Sequence, residues 1–69
     1  YALRGDYHRA IDDYTRALEL EDHLAEAYYN RGLARVYVKK IAEGVEDLSK
    51  AGELGLYTAY SVIKKYRDK

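Results

Sequence analysis

The sequence contains no cysteine, proline, methionine, tryptophan or phenylalanine. Without cysteine there are no disulfides, iron–sulfur clusters or thiolate zinc sites. The two histidines, His8 and His23, lie fifteen positions apart and form no ligand pair, so neither metal nor cofactor is expected. With no proline and only five glycines, little interrupts a helical chain. Charge of one sign is also missing: twelve Lys and Arg balance twelve Asp and Glu, so the basic field of a nucleic-acid-binding domain is not there. No run approaches the ~18 apolar residues of a membrane span and no charged-then-apolar leader opens the chain, so no membrane partner is expected, and a soluble, cytoplasmic protein fits. Because Met is absent, Tyr1 is not expected to be a translation start, and the chain is read as a piece of something longer or as a processed product. Its 69 residues make one domain at most. At that size a lone core seldom supplies more than about 3–5 kcal/mol, so packing against a partner matters.

What the sequence does have is amphipathic pattern. Charged residues make up 35% and hydrophobic ones 48%, a balance that suits helices and argues for an all-α fold. All nine aromatics are tyrosines, each with an apolar ring and a hydroxyl that needs water or a partner. Apolar residues recur at steps of three and four over 7–20, through Tyr7, Ala10, Ile11, Tyr14, Ala17 and Leu18, which predicts a first helix. Asp6 is positioned to cap it, with Gly5 in the preceding turn at positive φ and residues 1–4 as the tail of an earlier helix. The same spacing predicts helices over about 24–38, 41–54 and 57–67. Gly55 falls where a left-handed residue ends the third, and Ser61, Lys64, Lys65 and Arg67 give the fourth a wet outer face.

An internal repeat underlies these helices. At an offset of 34 residues, Ala10 overlays Gly44, Ile11 Val45, Asp12 Glu46, Asp13 Asp47, Tyr14 Leu48, Arg16 Lys50, Ala17 Ala51, Glu19 Glu53 and Leu20 Leu54. Ala25, Ala27 and Tyr28 continue onto Ala59, Ser61 and Val62. A period of that length made of paired helices resembles the tetratricopeptide repeat (TPR), whose pattern is W-x2-L-G-x2-Y, then A-x3-F, then P. Tyr28, Gly32, Gly44, Leu48 and Ala51 occupy its Trp, Gly, Ala, Phe and further small places. Tyr1, Gly5-Asp6-Tyr7, Ala10, Tyr14 and Ala17-Leu18-Glu19-Leu20 match it in the partial repeat before. The division that follows is a partial repeat over 1–24, a complete one over 25–58 and a capping helix over 59–69. Small residues would let paired helices approach while large ones fill the space between repeats. Departures are Arg31 at the Leu place, Arg35 at the second Tyr place, Asp22 and Leu56 at the Pro places and Lys39 at the turn Gly. Three arrangements suit Arg31 and Arg35: stems packed with guanidinium groups in water, pairing with carboxylates such as Asp12, Asp13 or Glu46, or a docking site for a partner.

The resemblance implies a right-handed superhelical stack of antiparallel helix pairs that acts as a protein–protein interaction scaffold. A peptide or protein partner would lie along the concave face, lined here by Glu26, Tyr29, Asn30, Leu33, Val36 and Tyr37 and continued by Tyr60 and Lys64. Repeats of this kind bury their faces against one another, so a chain of about one and a half repeats leaves Tyr7, Ile11, Tyr14 and Tyr28 open for self-association into a homo-oligomer. Charge favours head-to-tail contact: residues 1–24 carry three basic and six acidic groups, and 55–69 carry four basic and one acidic. No enzyme is expected, since Thr15, Thr58 and Ser61 have no nearby base and no Gly-rich phosphate loop. Asp12-Asp13 and Glu19-Glu21-Asp22 read as solvated helix faces within reach of Arg9 and Arg16. The alternative is single-stranded RNA binding, by tyrosine stacking and the basic stretch Lys64-Lys65-Tyr66-Arg67-Asp68-Lys69. The macrodipole by itself favours lysine and arginine at a helix C-terminus, so that stretch has a structural explanation too.

Overall fold

The computed structural model describes residues 6–67, and of Arg67 the backbone alone. It is all-α, with helices α1 (Tyr7–Leu20), α2 (Ala25–Tyr37), α3 (Ile41–Glu53) and α4 (Thr58–Arg67). Each packs on the next, α2 on α1 and α3, and α4 on α3. Among the described residues no strand occurs, and no helix is long and apolar enough to cross a membrane. The expected tail at 1–4 and the turn at Gly5 lie outside the described residues.

The helix ends show which local signals act. Asp6 occupies the N-cap of α1 but makes no side-chain capping bond. Its φ of −68° and ψ of 0° lack the extended geometry that swings a capping carboxylate over the first free N–H groups. Only its carbonyl is engaged, accepting from Ala10 N–H at 2.9 Å. Gly55 ends α3 as its position foretells, at φ 112°. The N–H of Leu56 donates to Ala51 O at 3.0 Å and that of Gly55 to Gly52 O at 3.0 Å, a Schellman closure. The same closure ends α2 without a glycine: Lys39 sits at φ 70°, with Lys40 N–H on Arg35 O at 2.8 Å and Lys39 N–H on Val36 O at 2.9 Å. A side chain in that region costs about 1–2 kcal/mol, so the turn is held by its bonds and by packing on either side.

Packing is tightest between α2 and α3. A Cβ on Gly32 would stand 2.8 Å from Gly44 O and 2.9 Å from Leu48 Cγ, and one on Gly44 would stand 2.5 Å from Val36 Cγ2. The family pattern has alanine at the Gly44 place, so these two backbones meet more closely than that pattern allows. Val36, Leu48, Ala51, Ala59 and Ile63 form the buried cluster, with Tyr28, Tyr29, Leu33, Leu56, Val62 and Tyr66 among the half-buried residues against it. Burial of the Val36, Leu48 and Ile63 side chains is worth about 1.5–3 kcal/mol each, and this cluster fixes α2, α3 and α4 as one unit.

Candidate partner-binding surface

α2 supplies most of the expected groove, and the structure divides that set. Glu26, Tyr29 and Asn30 converge with Leu56 and Thr58 on an open depression of about 330 Å³. Leu56 and Thr58 were not expected there. Their position follows from the turn after α3, which closes back on Ala51 and brings the start of α4 beside the start of α2. Leu33 is half-buried against the core, and Val36, at 5% exposure, packs inside it. Tyr37 is 51% exposed, and its ring lies 5.1 Å from that of Tyr7, tilted by 52°. Tyr60 is 45% exposed with its ring laid over Gly52, where a Cβ would come within 2.5 Å of Cζ. Lys64 is exposed beyond it.

The residues expected to be open for self-association are half-buried, all four of them: Tyr7, Ile11, Tyr14 and Tyr28. Tyr7 meets Tyr37 as described, and Tyr28 lies under the Arg31 guanidinium at 5.7 Å, a cation–π contact. In the basic stretch Lys64 and Lys65 are exposed, whereas Tyr66 packs on the core.

Arg31 and Arg35 resolve into ion pairs, with a carboxylate other than those expected. Asp12, Asp13 and Glu46 are exposed, and the acceptor is Asp47, 4% exposed on α3. Arg31 binds it as a fork, Nε donating to Oδ2 and Nη2 to Oδ1, both at 2.8 Å. Arg35 Nη1 donates to Oδ2 at 2.9 Å. Arg31 Nη1 also donates to Thr15 Oγ1 at 3.1 Å, and that hydroxyl donates to Ile11 O at 2.7 Å, so the network ties α1 to α2 and α3. Among the described residues no buried side-chain polar atom lacks a partner.

Planar bidentate pairing is strong because both bonds are charge-assisted, and here it is partly shielded from water. The hydrogen bonds that Arg31 donates to Asp47 hold its guanidinium above its ordinary range, against the opposing effect of burial. A raised cation value means that its stabilising effect is complete below the ordinary value and fades only as pH rises beyond it, so the Arg31 side of the contact does not change across physiological pH. Asp47 had a sequence signal. It stands between Gly44 and Ala51 on the apolar stripe of α3, opposite two arginines on the apolar stripe of α2. An acid and two bases on facing stripes pair with one another.

The family model described as TPR repeat matches residues 1–37. The photosystem I assembly protein Ycf3 of Acaryochloris marina is 37% identical over 51 residues, which cover 74% of this chain. They span 31% of the length of that relative. No solved structure matches the chain. Helix pairs at a 34-residue offset, the small residues at their crossing and the match over 1–37 lead to one statement: the chain belongs to the TPR-repeat family.

Proposed function

We propose that this protein is a non-catalytic interaction scaffold that holds an extended segment of a partner protein along α2 and the start of α4. The observation that carries this reading is the depression lined by Glu26, Tyr29, Asn30, Leu56 and Thr58. It offers an apolar floor, Tyr29 and Leu56, edged by an amide, a hydroxyl and a carboxylate, a mixture suited to backbone groups and alternating side chains of a peptide. On this reading the exposed Tyr37, Tyr60 and Lys64 and the half-buried Leu33 belong to the same partner-facing surface. The relative's name, an assembly protein, fits a role exercised through bound partners. A second part of the proposal is that copies of the chain associate through α1, a homo-oligomer in a soluble, cytoplasmic setting.

The test is an array of random extended peptides probed with the labelled full chain. Peptides that bind the chain and lose at least about tenfold in affinity to Tyr29→Ala and Asn30→Ala support the groove. Binding indifferent to both substitutions overturns it. A labelled oligo-uridine probe run alongside reads the rival class, and tight, salt-sensitive capture of that probe would replace the peptide reading with an RNA one.

A further inference from the structure

The depression between α2 and the start of α4 sets hydrogen-bond acceptors over an apolar floor. Its lining residues are Glu26, Tyr29, Asn30, Leu56 and Thr58, and none of them carries a positive charge. Glu26 is exposed in the first turn of α2, where the helix dipole favours an ionised carboxylate. Among the described residues it enters no ion pair. An ionised carboxylate only accepts hydrogen bonds, the Asn30 amide has a carbonyl to offer, and the hydroxyls of Tyr29 and Thr58 accept as well as donate.

The surroundings have the same sign. Over 21–30 and 50–58, the stretches that supply the lining, Glu21, Asp22, Glu26 and Glu53 stand against Lys50, all of them exposed. The two arginines of α2 do not offset this, because Arg31 and Arg35 are both engaged with Asp47 on the side of the helix that meets α3. The floor, Tyr29 and Leu56, is half-buried. An aliphatic stem with a charged end suits such a place: the stem lies on apolar surface while the cation reaches an acceptor, and the face of a tyrosine ring attracts it further.

We propose that the depression takes a basic side chain of an extended partner segment, arginine ahead of lysine, and that Glu26 is the residue that selects it. This deepens the peptide-binding reading put forward above and rests on it. The stem lies on Tyr29 and Leu56, the charged end meets the Glu26 carboxylate, and Asn30 and Thr58 accept from the N–H groups left over. Arginine leads because its planar fork serves several acceptors at once, whereas an ammonium is a point charge. An acidic side chain in the same place faces like charge and is rejected.

Extended peptides of random sequence with one central position fixed as arginine, lysine, norleucine or glutamate, probed with the labelled full chain, test this. The arginine set should bind at least about tenfold tighter than the norleucine set, with lysine between them and glutamate weakest. Added salt should shrink that advantage. Glu26 is exposed, so its substitution leaves the fold intact, checked by circular dichroism. Glu26→Gln should bring arginine and norleucine to within about threefold of each other, and Glu26→Lys should make glutamate the preferred residue. Glu21→Gln, which removes the same charge outside the lining, should keep the arginine advantage. Equal binding of the four sets, or an arginine advantage that responds alike to Glu21→Gln and Glu26→Gln, overturns the basic anchor. The groove itself then stands if Tyr29→Ala still weakens binding. Binding of none of the sets overturns groove and anchor together.

Discussion

α1 and α3 carry the same residue classes in the same register, and they live in different surroundings. α3 lies between α2 and α4 and buries a carboxylate, two glycines, a leucine and an alanine. α1, packed on α2, buries Leu18 alone, although its moment of apolar residues is as one-sided. The amphipathic stripe sets which residues can be buried, and the neighbouring helices decide which are. It also separates two aspartates that the pattern treats as equivalent. Asp47 holds three helices through Arg31, Arg35 and, by way of Arg31, Thr15, while Asp13 faces outward.

Removing those carboxylates should widen the difference. Asp47→Ala leaves two partly buried cations without their acceptor and is expected to cost about 3–5 kcal/mol, enough to unfold a domain of this size. Asp13→Ala is expected to stay within about 0.5 kcal/mol, and urea unfolding reads both. Next comes the helix crossing. Gly44→Ala installs the family's usual residue at a contact where its Cβ would press on Val36 and on the Gly32 carbonyl, and should destabilise by about 1–3 kcal/mol despite alanine's better helix propensity. Lys39→Gly removes a strained left-handed residue and should stabilise by about 1 kcal/mol, seen as a rise in Tm. The smallest effect is at Gly52. A Cβ there meets the ring of Tyr60, and that ring is exposed enough to swing away, so Gly52→Ala should leave stability within about 0.5 kcal/mol and change tyrosine fluorescence instead.

Much of this was legible in residue order. The four helices follow from steps of three and four, and the left-handed end at Gly55 from glycine's freedom there. The groove was legible in part: Glu26, Tyr29 and Asn30 share a helix face, which spacing reveals, but Leu56 and Thr58 join them only through the closure of the turn after α3. Tyr7 and Tyr37 are thirty residues apart in sequence, and nothing local announces that their rings touch. The Asp6 cap fails because a capping carboxylate depends on backbone angles that residue type does not fix. Arg31 and Arg35 had charged partners within reach on several helices, and the choice of Asp47 depends on how deeply α3 sits against α2.

The Arg31–Asp47 pair ties together the repeat that carries the depression. A double-mutant cycle by urea unfolding, with Arg31→Met, Asp47→Ala and the pair of them, measures it directly. A coupling of about 2 kcal/mol or more, with the double variant more stable than Asp47→Ala alone, is the result expected. A coupling below about 0.5 kcal/mol would contradict it, and would mean that apolar packing around Leu48 holds the repeat together without help from the ion pair.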